Sequence, residues 1–360
     1  MEDNRSYESL VGGGFDGSIF EHIVSVENLF SAWREFNKGK TKKPDVIEFT
    51  LNLEDNIFAL REELISRKWI CDGYIKFSIK DPKPRIIHKA TVRDRVLYQA
   101  IYRVLYPIFD KTFIFDVYSS RKEKGTHAGI KRLNVFLRKL SGNYNKPVYA
   151  LKCDIKKFFD SVDHEVLLDL LKQKINCPET LSLLEKIIDS FHKTPDKGLP
   201  LGNVISQIFA NIYMNTFDWY VKRELNAKYY IRYCDDFVLA SCDKDVLLNN
   251  IRHLDYFLSE NLKLTLHSNK IEIRKLRQGI DFLGVVLLPY RIVTRTKTKT
   301  RIVKKSARLL LEFQAGNITK DKLSQSISSY LGHMGHTKSR KTKYFLHMVR
   351  AKTRNLPESI

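Results

Sequence analysis

The segment Tyr229-Tyr-Ile-Arg-Tyr-Cys-Asp-Asp-Phe-Val-Leu-Ala240 places two adjacent acids between apolar, aromatic and β-branched flanks. Flanks of this composition favour two strands joined by a tight turn at Asp235 and Asp236. Two carboxylates in such a turn are costly unless a cation neutralises them. The turn is therefore either an ordinary Asp-Asp hairpin or a site that binds a cation.

A further acid follows another apolar strand. Residues 148–153 read as a buried strand that ends at Asp154 and runs directly into a helical segment. Side chains at the ends of strands lie at the rim of a sheet, where a metal ion can be held. Taken alone, Asp154 is better explained as a helix N-cap.

Together these acids meet a specific chemical requirement. Phosphoryl transfer from a nucleoside triphosphate uses two Mg²⁺ ions about 3.5–4 Å apart, bridged by carboxylates. We expect Asp154 and Asp235 to form the bridging pair, with Asp236 as an adjacent, less essential ligand. The backbone carbonyl of Ile155 is expected to reach one ion, and Mn²⁺ is an alternative to Mg²⁺.

The composition points to a nucleic-acid partner. The chain has 360 residues, 43% of them hydrophobic, and a formal net charge of +21. Such an excess suggests a polyanionic partner, and the sequence contains neither an eighteen-residue apolar run nor a signal peptide. The five cysteines have no CxxC spacing, which argues against a disulfide framework or a structural zinc site. We therefore expect a cytoplasmic protein that binds nucleic acid and no membrane.

Periodicity divides the chain into segments. Helical spacing is seen over residues 19–67 and 91–109, and strand patterns over residues 74–79, with a turn at residues 81–84. Residues 229–239 and 262–273 are predicted to form two hairpins or strand pairs, and residues 280–288 the last strand. Residues 285–360 contain 17 Lys/Arg and three Asp/Glu, with helical spacing at 306–311 and 323–331. The chain is thus predicted to be an α/β body with a basic helical appendage.

With these motifs in order, residues 75–335 resemble a reverse transcriptase. Asp154 matches the metal ligand of the family's first palm motif, and residues 233–236 resemble its YxDD box. Residues 198–211 resemble the motif beneath the incoming nucleotide and the template base, which implies nucleotide contacts for Leu201, Gly202 and Gln207.

The resemblance implies a right-hand polymerase of the α/β (α+β) class. Residues 1–75 would form an N-terminal helical extension. Residues 76–285 would form the fingers and palm, with an antiparallel palm sheet and helices. Residues 286–360 would form a basic helical thumb on the duplex. The partners would be a template RNA, a DNA or RNA primer and deoxynucleoside triphosphates.

Further nucleotide contacts are implied by the same resemblance. Arg85 would contact the nucleotide phosphates with help from Lys80. For the neighbouring Lys83 and Lys89, a solvated basic hairpin is the simpler interpretation. Phe159 matches the steric gate that excludes a 2′-hydroxyl, with core packing as the alternative. Ile155 is also expected to contact the nucleotide. Lys270 resembles the lysine that assists pyrophosphate departure, with an ordinary surface lysine as the alternative.

Contacts to nucleic acid are implied in two places. Arg121 fits a template-backbone contact. Phe282, Leu283 and Gly284 resemble the primer grip, a turn that holds the primer 3′ end.

Departures from the retroviral pattern suggest a subtype. Leu201 stands where retroviral enzymes carry Gln, and Ser206-Gln207 replaces their Ser-Pro. Residues 200–207 and 330–336 resemble reverse transcriptases of diversity-generating retroelements, which copy RNA with errors opposite adenine. Such enzymes work with a basic accessory protein, so we expect that or a structured non-coding RNA as partner. The alternatives are an antiphage-defence reverse transcriptase and a non-catalytic RNA-binding scaffold. The chain ends soon after the predicted thumb, so no RNase H, maturase or endonuclease domain is expected in it.

Overall fold

The computed structural model describes residues 18–80 and 84–354. The turn predicted at residues 81–84 lies almost entirely outside the described residues. No helix in the described parts of the chain is both long and apolar enough to span a bilayer.

The N-terminal part is helical, which confirms the periodicity seen there. It comprises α1 (Ile19–Val24), α2 (Val26–Asn37), α3 (Pro44–Leu51) and α4 (Leu53–Ile65). Ser18 and Ser25 cap the first two helices by accepting backbone N–H bonds, which satisfies donors that have no partner within the helix.

The next elements are a two-stranded hairpin and a long helix. Strands β1 (Tyr74–Ile79) and β2 (Arg85–Ala90) pair antiparallel, and α5 (Val92–Asp110) follows. Helices α2 and α5 pack together, and their buried side chains include Leu29, Trp33 and Leu97. The helix predicted at residues 91–109 is thereby confirmed.

The central sheet has the strand order β4-β5-β3-β6, with every neighbouring pair antiparallel. Its strands are β3 (Tyr149–Asp154), β4 (Tyr230–Tyr233), β5 (Asp236–Ser241) and β6 (Glu272–Lys275). Along β3, Leu151 and Cys153 are fully buried on one face, whereas Lys152 and Asp154 lie on the other. The second face is apolar where Ala150, Ile231 and Val238 pack against α6 (Thr126–Leu140), and it is polar only towards the end of β3 that carries Lys152 and Asp154.

Helices surround this sheet. They are α6 (Thr126–Leu140), α7 (Phe158–Ser161), α8 (His164–Lys172), α9 (Pro178–Asp189), α10 (Val204–Arg223) and α11 (Lys244–Leu262). The face that carries Leu151 and Cys153 packs against α10, where the rings of Phe217 and Phe237 lie 5.1 Å apart and both are fully buried. The mixed α/β class with antiparallel sheets, expected from the sequence, is confirmed.

The hairpin predicted at residues 262–273 is wrong. Helix α11 extends to Leu262, Leu266 makes an isolated bridge to Ile155, and Ser268–Lys270 form a 3₁₀ turn. Only Glu272–Lys275 form a strand, which joins the edge of the sheet beside β3. Leu262, Leu264 and Leu266 are buried in the main core, so the apolar spacing of this segment reflects packing against that core and not a hairpin.

A small sheet and three helices complete the described chain. Strands β7 (Ile280–Phe282), β8 (Val285–Leu288) and β9 (Arg291–Thr294) form an antiparallel meander. The single strand predicted at residues 280–288 is therefore a hairpin. Helices α12 (Thr296–Gln314), α13 (Lys320–Gly335) and α14 (Arg340–Arg354) share a core of their own, as the helical spacing predicted.

Candidate active site

The acids predicted from the sequence converge at one edge of the central sheet. Asp154 ends β3 and Asp236 begins β5, and the two residues are direct partners in the antiparallel register. The backbone N–H of Ile155 donates to the carbonyl of Asp235 at 3.3 Å. Acids that are far apart in the sequence therefore meet at adjacent backbone positions.

The acids of the second segment lie on a tight turn. Tyr233 pairs with Asp236, so Cys234 and Asp235 form a two-residue connection between β4 and β5. Cys234 has a φ of 58°, the left-handed conformation that such short turns require at their first position. Its backbone N–H donates to the Ser119 hydroxyl at 2.9 Å.

A buried ion pair supports this turn from below. Arg232 and Asp218 are both fully buried, and the guanidinium donates two bonds to the carboxylate, Nε to Oδ1 at 2.7 Å and Nη2 to Oδ2 at 2.6 Å. Nη1 of Arg232 donates to the carbonyl of Cys234 at 2.9 Å, and the Tyr230 hydroxyl donates to Asp218 at 2.6 Å. Burial opposes the charge of Arg232, but the neighbouring Asp218 carboxylate outweighs burial, and the pKa of the guanidinium is raised.

The sequence reading did not identify this pair as functional. The sequence signal was that Arg232 occupies an inward position of an apolar strand and that Asp218 lies within the apolar helix α10. Buried charges in folded proteins are normally paired, so each of the two residues pointed to an unidentified partner.

The electrostatics of the site favour a cation. Burial raises the pKa of Asp235, and the nearby Asp154 charge raises it further. Burial also raises the pKa of Asp236, although Lys152 opposes that shift. Negative charge in this cluster therefore exceeds what its surroundings neutralise.

Two lysines contact the acids. Nζ of Lys270 lies 2.5 Å from Oδ1 of Asp154, and Nζ of Lys152 lies 3.5 Å from Oδ1 of Asp236. Over residues 18–80 and 84–354, no three or more His, Cys, Asp or Glu side chains are grouped so that they alone could hold a metal ion.

The loop before α10 packs closely against the β1–β2 hairpin. The backbone N–H of His88 donates to the carbonyl of Leu201 at 3.0 Å, and the Asn203 amide donates to the carbonyl of His88 at 2.9 Å. Gly202 has a φ of +112°, and a Cβ there would lie 2.6 Å from Cγ2 of Ile87. Only glycine allows the loop and the hairpin to approach this closely.

Phe159 lies near the same loop. Its carbonyl accepts a bond from the Leu199 N–H at 2.7 Å, and its half-buried ring packs edge-on against Phe158 at 5.4 Å. A cavity of about 680 Å³ adjoins the loop, and its lining includes Phe36, Phe77, Gly202 and Gln207.

Comparison with known proteins identifies the family. A family model described as reverse transcriptase (RNA-dependent DNA polymerase) matches residues 79–287, more than half of the chain. The chain belongs to the reverse transcriptase family.

Relatives of this reverse transcriptase include bacterial and group II intron-encoded proteins. Protein YkfC of Escherichia coli (strain K12) is 26% identical over 272 residues, covering 64% of this chain and 71% of YkfC. Group II intron-encoded protein LtrA of Lactococcus lactis subsp. cremoris is 25% identical over 218 residues, covering 56% of this chain and 33% of LtrA. A solved structure of apo telomerase from Candida tropicalis, truncated from the C-terminal domain, matches with a TM-score of 0.47 and 14% identity, covering 62% of this chain and 55% of that one.

Two of the nucleic-acid contacts predicted for this reverse transcriptase are not supported by the structure. The Arg121 side chain is only 8% exposed, and its guanidinium donates to Asp110 at 2.7 Å and to the carbonyl of Ile114 at 2.8 Å. Phe282 is fully buried in the core beneath the β7–β8 hairpin. Both side chains hold the protein together and neither is free to meet a template or a primer.

Other predicted residues of the reverse transcriptase lie where a ligand has access. Leu283 and Gly284 form the two-residue turn between β7 and β8, with φ values of 47° and 84°. Lys80 and Arg85 are exposed near the end of the β1–β2 hairpin. Their contacts to primer and nucleotide stay predictions.

Proposed function

We propose that this chain makes cDNA from an RNA template by two-metal nucleotidyl transfer. The observation that carries the proposal is the antiparallel pairing of Asp154 with Asp236, which brings Asp235 beside Ile155. This arrangement supplies carboxylates from two separate segments at one strand edge, as two-metal chemistry requires.

The donor atoms suit Mg²⁺. Magnesium is bound in such enzymes by one or two carboxylates, with substrate phosphates and water completing the octahedron, so an all-protein cluster is not needed. Asp154 and Asp235 would hold the ions, with the Ile155 carbonyl and Asp236 beside them. Bound Mg²⁺ would lower the pKa of the primer 3′-hydroxyl and neutralise charge on the departing pyrophosphate.

Residues of the chain itself would orient the nucleotide. Lys270, held against Asp154, is the candidate for assisting pyrophosphate departure. Arg85 and Lys80 are the candidates for the triphosphate, because cations at the exposed hairpin end can clamp phosphate oxygens. Phe159 is the candidate steric gate beneath the sugar.

Two grooves support a path for nucleic acid. The cavity beside Gly202 and Gln207 has apolar walls and lysines such as Lys40 and Lys43, which suits an unpaired template strand. A second groove, of about 1000 Å³, follows α12 and is lined by basic residues that include Lys297, Lys304 and Arg308. Such a surface suits duplex phosphates, which are bound without sequence readout.

We therefore assign the parts of the chain as follows. The chain up to residue 75 is assigned to an N-terminal extension, which is helical over α1–α4, residues 76–285 to the fingers and palm, and the chain from residue 286 onward to the thumb. Helices α12–α14 have a core of their own, which supports a separate thumb, whereas Leu287 and Ile292 of the preceding strands pack in the core between α6 and the central sheet.

Primer extension on an RNA template tests the proposal. Asp154→Asn and Asp235→Asn should each abolish DNA synthesis, while RNA binding, measured by fluorescence anisotropy, stays within about threefold of wild type. Asp255→Asn, an exposed acid on α11, is the matched control and should keep full activity. Extension by either active-site variant at the wild-type rate would refute the metal assignment. A wild-type protein that binds RNA without making DNA would favour the non-catalytic scaffold.

For the biological role we propose error-prone cDNA synthesis in a diversity-generating retroelement, with a basic accessory protein or a structured RNA as partner. Leu201 supports this role because an apolar side chain removes a polar contact expected beneath the nascent base pair. Restoring Gln at this position should lower misincorporation opposite adenine, as measured by sequencing the cDNA. An unchanged error spectrum, or cDNA whose synthesis is triggered by phage infection, would favour the antiphage alternative.

A further inference from the structure

A line of alternating charges starts at the proposed metal site, on the face of the central sheet that carries Lys152. Nζ of Lys152 lies 3.5 Å from Oδ1 of Asp236 and 3.8 Å from Oδ1 of Asp281. The same Asp281 oxygen accepts a bond from the guanidinium of Arg295. The line thus runs from the second acid of the turn to the β7–β8 hairpin and on to α12.

These contacts are partly shielded from solvent. The side chains of Lys152, Asp236 and Asp281 are 19%, 25% and 24% exposed. Partly buried ion pairs are screened less by salt than pairs at the surface, so they hold their geometry more firmly. Oδ1 of Asp236 is buried and has no hydrogen-bond partner among the described residues, so Lys152 is its principal contact.

This line of charges connects two turns for which different functions are proposed. The turn at Asp235 carries the acids, and the turn at Leu283 and Gly284 is the candidate for holding the primer end. Arg295 also fixes the second turn through its backbone, because its N–H donates to the carbonyl of Gly284 at 3.0 Å. Arg295 then caps α12, whose basic residues line the duplex groove.

We propose that Lys152 is a positioning residue that sets the distance between the acid turn and the β7–β8 turn by joining Asp236 to Asp281. Arg295 continues this connection to the start of α12. The inference rests on the proposed function, since it matters for catalysis only if the primer 3′ end lies between the two turns. Lys152 itself holds no substrate.

The proposal predicts a specific kinetic pattern. Displacement of a reacting atom by about 1 Å can slow a reaction by roughly 100-fold. Lys152→Met should therefore lower the maximal rate of single-nucleotide addition by about 10- to 100-fold. The KM for the nucleotide and the Kd for primer–template should stay within about threefold, because Lys152 touches neither. Lys152→Arg should restore part of the rate.

A matched control and a double-mutant cycle separate positioning from general damage. Arg274 is an exposed cation on the same face of the sheet as Lys152, where it pairs with Glu272, and Arg274→Met should stay within about twofold of wild type. Asp281→Asn should slow addition, and Lys152→Met combined with Asp281→Asn should be no slower than Lys152→Met alone, because neighbouring residues act non-additively. Arg295→Gln should likewise have no added effect in the Asp281→Asn background.

Several results would overturn the inference. Lys152→Met within twofold of wild type would do so, as would rate losses that multiply independently in the double variant. A wild-type protein that makes no DNA would instead refute the proposed function. In that case the contact can still be tested by the thermal unfolding midpoints of the wild type, Lys152→Met, Asp281→Asn and the double variant. Shifts that add in the double variant would show that Lys152 and Asp281 are not coupled.

Discussion

Replacing Arg232 by Met should strongly destabilise this reverse transcriptase. The change removes both bonds to Asp218 and leaves that carboxylate fully buried, with the Tyr230 hydroxyl as its remaining contact. It also removes the bond from Nη1 to the carbonyl of Cys234, which supports the acid turn. Stability and activity should therefore both fall, for separable reasons.

The magnitude follows from the burial of the pair. Removing one partner of a buried ion pair costs about 3–5 kcal/mol, because the other charge is left uncompensated. The total stability of a folded domain is only about 5–15 kcal/mol. At roughly 2–4 °C for each kcal/mol, the thermal midpoint of Arg232→Met should fall by about 6–20 °C.

Differential scanning fluorimetry measures this shift directly. Arg308→Met is the control, since Arg308 is 80% exposed and its pair with Glu312 lies on the surface of α12. Exposed pairs contribute about 0–1 kcal/mol, so the control midpoint should move by no more than about 4 °C. A shift of Arg232→Met no larger than that of the control would refute the reasoning.

A second variant separates the cost of the unpaired buried charge from the loss of support for the acid turn. Replacing Arg232 by Met, Asp218 by Leu and Tyr230 by Phe together removes the ion pair and the hydroxyl bonded to it, and apolar replacement of a buried pair is often neutral for stability. The midpoint should recover most of the loss. Polymerase activity should stay at least tenfold below wild type, because the carbonyl of Cys234 still lacks its donor. Full activity in this variant would show that the turn needs no such support.

Three further predictions concern the rest of the site. Phe159→Val should admit ribonucleotides, measured as the ratio of kcat/KM for a ribonucleotide to that for its deoxynucleotide; an unchanged ratio would remove the gate role. Gly202→Ala should lower kcat/KM for nucleotides at least tenfold, because its Cβ would lie 2.6 Å from Cγ2 of Ile87, whereas Gly332→Ala in α13 meets nothing within 4 Å and should be neutral. Burial and then the Asp236 and Asp154 charges raise the pKa of Cys153 to about 12, and burial and Asp235 raise that of Cys234 to about 12. Because both thiols stay protonated at pH 8, iodoacetamide should alkylate the exposed Cys242 and spare these two until the protein is unfolded; labelling of Cys153 that rises between pH 7 and 9 would contradict this.

Local patterns made part of this structure predictable. The strand pair around Asp235, the strand ending at Asp154 and the basic C-terminal helices all follow from short-range alternation or helical spacing. The meeting of Asp154 with Asp236 followed from the chemistry expected of the motifs, since neither segment specifies its partner.

Features that depend on distant partners were not predictable in the same way. Residues 262–273 are apolar enough for a hairpin, but Leu262, Leu264 and Leu266 pack into the main core and the segment forms no hairpin with itself. Arg121 looked like a free cation because the sequence does not show that Asp110 folds back onto it. Lys152 was read as part of a buried strand, because its partner Asp281 lies in another sheet.

The position of β3 in the middle of the central sheet has a consequence for synthesis on the ribosome. Its two neighbours, β5 and β6, both come later in the chain, so the sheet can close only after Lys275 has emerged. Translation adds about 5–20 residues per second, so both edges of β3 stay unpaired for roughly ten seconds before β5 has emerged. Unpaired strand edges are templates for association with other chains. Nascent or truncated chains that stop before Lys275 are therefore expected to aggregate, and slower translation should lengthen the period in which a chaperone is needed.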